Sequence, residues 1–158
     1  MRMTSIRRRA SSPVTLYRLI YRSHNDIPAV EIGREIRSVL VSSRHNNAAN
    51  NVTGALLFTA SGFAQVLEGP RDVVELTFER IGADPRHSDV MVLSFTPTER
   101  RCFPQWPMAF CGQTALADPL SEQGSGTPPL TGLHTATGGD ILRLSEKLIQ
   151  REDEWIAA

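Results

Sequence analysis

The stretch "NNVTGALLFTASGFAQVLEGP", Asn50 to Pro70, constrains the chain more than any other. Two β-prone runs flank Ser61-Gly62, which is the spacing of a hairpin. Pro70 and an amphipathic run follow at once, so the second strand must hand the chain directly to a helix. Side chains alternate faces along a strand, so Phe63, Gln65 and Leu67 share one face and Ala64, Val66 and Glu68 the other. An uncharged amide, Gln65, thus stands between a Phe and a Leu, where an apolar residue would be safer. It is either a core amide bonded to a neighbour or a site residue.

The segments around this hairpin extend the pattern. "VTLYRLIYRS" after Pro13 reads as a strand, with Tyr17, Leu19 and Tyr21 on one face and Leu16, Arg18, Ile20 and Arg22 on the other. "PAVEIGREIRSVLVSSRHNNAAN" has helical spacing. Its stripe Ile32, Ile36, Val39, Leu40, Ser43 runs on to Asn46 and Asn47, so an apolar face turns polar at its C-terminal end. "PRDVVELTFERIGADPRH" is a second amphipathic helix with Val74, Phe78 and Ile81 inward and Pro85 closing it. "SDVMVLSFTPTERR" and "WPMAFC" read as fourth and fifth strands, which places Trp106 and Met108 on one strand face. The order strand, helix, strand, strand, helix, strand, strand predicts an α/β, ferredoxin-like βαββαββ domain: a mixed five-stranded sheet with two helices on one face.

A Gly-, Pro-, Ser- and Thr-rich stretch from residue 112 predicts a linker or loop. A last helix follows, with Asp140 as its N-cap and Ile141, Leu144, Leu148 and Trp155 as its apolar face. That face must be covered by the open side of the sheet or by another subunit. The expected organisation is a basic arm over 1–13, a folded domain over 14–111 and an extension over 112–158.

Charge and composition exclude several classes. With 17 basic and 17 acidic residues the formal net charge is +0, so nothing pulls the chain toward nucleic acid or an anionic membrane. No run approaches a membrane span, and "MRMTSIRRRASS" lacks the apolar stretch of a secretory signal. Cys102 and Cys111 form neither a metal spacing nor a disulfide framework, so a cytoplasmic setting and no bound metal are expected.

Singly, the polar residues of these segments have ordinary explanations. Tyr21 could be a core tyrosine with a bonded hydroxyl, Asn46 and Asn47 helix-end residues, Trp106 and Met108 plain core, and His87 a turn residue. Together, and in order, "LYRLIYRS", "SSRHNNAANNVTGALL", "FAQVLEG", "RIGADPRHSDV" and "RRCFPQWPMAF" resemble the BLUF family, blue-light sensors that hold a flavin without a covalent bond. The resemblance runs from about Thr15 to Phe110.

The resemblance implies a flavin between the two helices, above the sheet. FAD is the expected form, with FMN or riboflavin as alternatives. It implies Tyr21 as electron donor and Gln65 between that tyrosine and the flavin. Asn46 and Asn47 would bond the polar edge of the ring. Arg80 and Asp84, placed on the second helix, would meet its pyrimidine side or ribityl chain, and Arg86 and His87 the entrance. Val39 would line the pocket, Ser43 would support it, and Trp106 and Met108 would relay the signal near the glutamine. An amide has a donor end and an acceptor end, so Gln65 can exchange what it presents, which neither glutamate nor leucine can do.

The expectation is therefore a short, stand-alone photoreceptor. It is not an enzyme, and it signals to an unidentified protein partner and forms a homo-oligomer. Three alternatives carry less. A small acylphosphatase-like hydrolase would want a glycine-rich anion loop after the first strand, and "YRSHNDIP" has none. An RNA-recognition module would want exposed aromatics in basic surroundings. A flavin-binding adaptor without photochemistry would not need both Tyr21 and Gln65.

Overall fold

The computed structural model describes residues 15–60, 62–112, 133 and 135–156, with side chains of the last segment through 149. The basic arm, Ser61 of the hairpin turn, most of the linker and the Trp155 side chain lie outside the described residues.

The elements follow the expected order: β1 (Leu16–Asn25), α1 (Ile32–Ala49) after one 3-10 turn at Ala29–Glu31, β2 (Thr53–Phe58), β3 (Gly62–Pro70), α2 (Arg71–Gly82), β4 (His87–Thr98), β5 (Ala109–Gly112) and α3 (Gly138–Ile156). The sheet runs β4-β1-β3-β2-β5. All neighbours are antiparallel except β2 and β5, which makes the sheet mixed. The architecture is ferredoxin-like with a fifth strand added beyond β2. The connection from β4 to β5 therefore carries the chain from one edge of the sheet to the other.

The register sets the site. Tyr21 is paired with Gln65, and Gln65 with Leu56, so three strands present these side chains abreast on one face. That face packs Leu19, Phe58, Phe63, Leu67 and Met108 against Ile36 of α1 and Val74 of α2. The opposite face packs Ile20, Leu57, Val66, Phe103 and Cys111 against Ile141 and Ile149 of α3. β2 and β3 are thus buried on both sides, which explains their near-continuous apolar composition. Gly54 is required at its place: a Cβ there would lie 1.9 Å from the Val66 carbonyl oxygen.

α3 lies on the open side of the sheet, which decides between the two covers its apolar face could have had. Its inward row is Ile141, Ser145 and Ile149, spaced by four, with Leu144 and Leu148 half-buried beside it. The buried Ser145 hydroxyl is satisfied by donating to the Ile141 carbonyl at 2.7 Å. The N-cap is Thr137, not Asp140. The Asp140 carboxylate accepts from the Thr137 N–H at 3.0 Å and the Asp140 N–H donates to Thr137 Oγ1 at 3.2 Å, a reciprocal pair that places Asp140 three residues into the cap motif.

Two further expectations change. Asp84 does not lie on α2, which stops at Gly82; it stands in the turn to β4, where its side chain accepts from the Arg86 N–H at 3.0 Å. Trp106 and Met108 do not share a strand face. β5 begins only at Ala109, and the chain bends through Pro107 and Met108, so alternation does not apply. Trp106 packs against the α3-side core, and Met108 is buried in the core beneath α1 and α2.

Glu68 is fully buried on the α3 side and is compensated there. Arg18 Nε donates to its Oε2 at 2.9 Å, and the N–H groups of Cys102 and Phe103 donate to Oε1 at 2.8 and 3.0 Å. This carboxylate fixes the start of the β4–β5 connection. Among the described residues no helix is long and apolar enough to cross a membrane, and no group of three His, Cys, Asp or Glu could hold a metal ion.

Candidate functional site

A cavity of about 330 Å³ lies over the Tyr21–Gln65–Leu56 row, between α1 and α2. Its size is at the lower end of small-molecule sites, which run from about 300 to 1,000 Å³. Tyr21, Leu56, Phe63 and Gln65 form the floor. α1 supplies Val39, Ser42, Ser43, Asn46 and Asn47, and α2 supplies Thr77, Arg80 and Ile81. Asp84 and Arg86 of the α2–β4 turn and His87 at the start of β4 complete the lining. Every expected binding residue is brought together here. Trp106 is not, and Met108 reaches the site through Gln65.

The floor is a hydrogen-bonded chain. Tyr21 is 2% exposed and Gln65 4%. Tyr21 Oη donates to Gln65 Oε1, and Gln65 Nε2 donates to Met108 Sδ at 3.4 Å. Both ends of the amide are engaged, one by a strong partner and one by a weak acceptor. Burial pushes the Tyr21 phenol far above its usual range, and the Asp84 carboxylate adds to the effect, so the hydroxyl stays protonated. The Tyr21 ring is held by Phe78, with centroids 5.4 Å apart, and by the edge of His87 at 6.2 Å.

His87 is the first residue of β4, not a free turn residue. Its Nε2 lies 2.7 Å from the Ile81 carbonyl, and its Nδ1 2.8 Å from Ser23 Oγ. A carbonyl only accepts, so Nε2 carries the proton, and in the neutral ring Nδ1 accepts from Ser23. Beside it, Arg86 makes a forked pair with Asp84 (Nη2 to Oδ2 2.6 Å, Nε to Oδ1 2.9 Å) and reaches Glu35 of α1 at 3.3 Å. The Arg86 guanidinium holds the Asp84 carboxyl below the usual carboxylate range. This network ties α1 to the α2–β4 turn. A shallower depression sharing Arg80, Asp84 and Arg86 adjoins the cavity here.

The α1 end is polar because its last turn carries the lining amides. Asn47 is buried and its Nδ2 donates to the Pro107 carbonyl at 2.8 Å, while Asn46 is half-buried along the cavity. Several lining residues had not been singled out as site residues. Leu56 is predictable from register, since it sits opposite Gln65 on the next strand. Phe63 is predictable from alternation, two residues before Gln65. Ile81 belongs to the apolar stripe of α2, and Thr77 and Ser42 carried no sequence signal beyond lying one helical turn from stripe residues.

The donor set suits a planar ring that is apolar at one end and polar at the other. Leu56, Phe63, Val39 and Ile81 offer apolar contact, while Asn46, Asn47 and Ser43 of α1 and Thr77 and Arg80 of α2 offer polar groups from the two walls. A flavin ring has that polarity.

Comparison with known proteins agrees. Residues 16–109 match the family model described as BLUF, sensors of blue light using FAD. Photoactivated adenylate cyclase subunit beta of Euglena gracilis is 32% identical over 109 residues, 68% of this chain and 12% of that protein. The blue light- and temperature-regulated antirepressor BluF of Escherichia coli (strain K12) is 37% identical over 86 residues, 52% of this chain and 20% of that protein. The chain thus spans a fifth or less of these two relatives. The dark-state structure of the BLUF protein BlrB superposes with a TM-score of 0.66 at 29% identity, covering 84% of this chain and 96% of that one. From its fold, its cavity and these matches, the chain belongs to the BLUF family of blue-light sensors that use a flavin.

Proposed function

We propose that Tyr21 and Gln65 form the photochemical pair, with Asn46, Asn47, Ser43, Val39, Arg80, Asp84 and His87 holding the flavin and Trp106 and Met108 relaying its state. The observation that carries this reading is the buried Tyr21–Gln65 hydrogen bond in the cavity floor. When bound, the flavin supplies blue-light absorption and an excited state that draws an electron readily. Tyr21 is the oxidisable group facing the cavity, and its Oη proton already points at Gln65 Oε1. A phenol that gives up an electron becomes a strong acid, so that proton passes along the existing bond. With a flavin bound to take up the electron and the outgoing proton, Gln65 would accept the tyrosine proton at Oε1 as one leaves Nε2, which gives the imidic tautomer, or it would rotate so that Nε2 meets the tyrosine oxygen. Tyr21 recovers its electron and proton as the cycle closes, so the change that persists is in hydrogen bonding. Each bond is worth about 1 kcal/mol net, which keeps two arrangements within reach of one another.

The other residues prepare this event. Val39, Leu56 and Phe63 exclude water from the Tyr21–Gln65 bond. Asn46 and Asn47 would match donors and acceptors on the ring edge. The Glu35–Arg86–Asp84 network keeps the α1 and α2 walls at a fixed separation.

Output passes by protein contact to a partner, and the chain forms a homo-oligomer. The unit 14–111 is the sensor and 112–158 its extension. A cytoplasmic setting fits Cys102 and Cys111, which form no disulfide.

The test is a light-minus-dark spectrum of the purified, flavin-loaded chain. Gln65→Leu and Tyr21→Phe should both bind flavin and lose the reversible red shift. A normal shift in Gln65→Leu would overturn the amide assignment.

A further inference from the structure

Arg44 stands on α1 three residues before Asn47, on the same side of the helix. It is exposed and does not line the cavity. Its Nε donates to the Met108 carbonyl at 3.1 Å, across 64 residues of sequence. Asn47 Nδ2 takes the preceding carbonyl, that of Pro107. One face of α1 therefore grips two successive carbonyls of the lead-in to β5. This grip matters because the ladder to β2 begins only at Ala109, and Pro107 has no N–H to offer. Met108 is 1% exposed with three rotatable side-chain bonds, so the place of its sulfur depends on how its backbone is held.

That sulfur touches the Gln65 amide. As the amide stands, Nε2 donates to Met108 Sδ. Turned over, it would point Oε1 at a thioether that has no proton to give. Met108 thus distinguishes the two orientations, and the amide must turn against it. We propose that Arg44 is a positioning residue for the switch: by holding the Met108 carbonyl it keeps the thioether against Gln65, favours the arrangement in which Nε2 donates to it, and speeds the thermal return to that arrangement. The chain of contacts Gln65–Met108–Arg44 also carries the switch from the buried floor to an exposed guanidinium on α1. This rests on the reading of Gln65 as the switching amide.

The test uses the full chain with flavin bound. Return of the absorption shift after a blue-light pulse is timed for wild type, Arg44→Ala, Arg44→Lys, Met108→Leu and the Arg44→Ala/Met108→Leu pair. The Met108 ε-methyl resonance is followed in the dark. Arg44→Ala should bind flavin as wild type does and return about fivefold more slowly, the equivalent of ~1 kcal/mol. It should move the Met108 methyl resonance and leave that of Met91 in place. Arg44→Lys, which keeps an N–H donor, should stay within about twofold of wild type, and Arg44→Ala should add nothing in the Met108→Leu background. An unchanged return in Arg44→Ala, a lysine variant as slow as alanine, or an effect that persists with Leu at 108 would each overturn the proposal. A full red shift in Gln65→Leu would bring down the amide reading itself. Loss of that shift with an unaltered Arg44→Ala return would bring down the Arg44 proposal alone.

Discussion

Trp106 and Met108, two residues apart, belong to opposite cores: Trp106 packs on the α3 side of the sheet and Met108 on the side of α1, α2 and the cavity. The bend at Pro107 separates them, and Gly54 N–H, bonded to the Trp106 carbonyl at 3.0 Å, fixes the near end of the bend. The segment that meets Gln65 on one side therefore meets the α3 layer on the other.

Substitution at these two positions should separate stability from photochemistry. Met108→Leu conserves volume and should cost less than about 1.5 kcal/mol, but it removes the acceptor for Gln65 Nε2 and should change the rate of thermal return. Trp106→Ala removes a half-buried ring and should cost about 2 kcal/mol, below the range for a fully buried tryptophan, while leaving the size of the red shift nearly unchanged. Urea titrations and difference spectra on the same samples check both. A smaller shift in Trp106→Ala together with an unaltered Met108→Leu return would reverse the assignment.

Glu68 offers a test of the β4–β5 connection. Glu68→Leu would leave the Arg18 guanidinium half-buried without its carboxylate and would orphan the N–H groups of Cys102 and Phe103. Breaking a buried pair on one side costs about 3–5 kcal/mol, and that loss is expected in urea unfolding. Glu68→Gln keeps an acceptor for the two N–H groups and should cost less. Equal costs for the two variants would mean that the charge, and not the backbone bonds, dominates.

Much of this was legible in the sequence. Period-two alternation gave the faces of β1 and β3, the family resemblance implied that Tyr21 stands beside Gln65, and the helical stripe of α1 led to Asn46 and Asn47. Leu56 was within reach by register alone. Where the backbone left regular geometry, the pattern failed. Alternation misplaced Trp106 because Pro107 bends the chain, and helical spacing carried Asp84 onto α2 because the turn after Gly82 has no signature of its own. Ser145 was missed for a different reason. Serine reads as a surface residue, and its burial depends on a bond to its own helix, to the Ile141 carbonyl. Arg44 could not be read at all, since its partner is a backbone carbonyl.

The Tyr21 phenol should resist alkali. Burial, and then the Asp84 carboxylate, raise its folded pKa above the ordinary tyrosine value of about 10. The protonated form is the one the fold favours. Its contribution to stability is complete below about pH 10 and is lost as pH rises toward the folded value. In a Tyr17→Phe chain, where Tyr21 is the remaining tyrosine, absorbance at about 295 nm should stay flat past that ordinary value and rise only on unfolding. An early rise in the folded protein would contradict the burial of this hydroxyl.

Asp84 should matter at the acid end. Its carboxyl is depressed chiefly by the bond from Arg86, so the fold favours the ionised form. The stabilising contribution is present above the ordinary aspartate value of about 3.9 and disappears as pH falls through the lower, folded value. The difference in Tm between wild type and Asp84→Asn should be largest near neutrality and close on that descent. A difference that stays constant through it would mean that Asp84 acts by packing rather than charge.

α3 should prove part of the folded unit and not an appendage. Its N-terminus is held by the Thr137–Asp140 pair, and Ile141 is fully buried against the sheet. Thr137→Ala removes the cap and should cost about 1 kcal/mol. Ile141→Ala opens a cavity between α3 and the α3-side core and should cost about 2–4 kcal/mol. If α3 unfolds with the sheet, both losses will appear in one cooperative transition, read identically by far-UV dichroism and by release of the flavin. If α3 detaches independently, Ile141→Ala will lower a separate dichroism transition and leave flavin release where it was. The single transition is expected. Ile20, Leu57, Val66 and Phe103 would otherwise be left facing water, and that exposure is too costly for the remaining sheet to tolerate at no loss of its own stability.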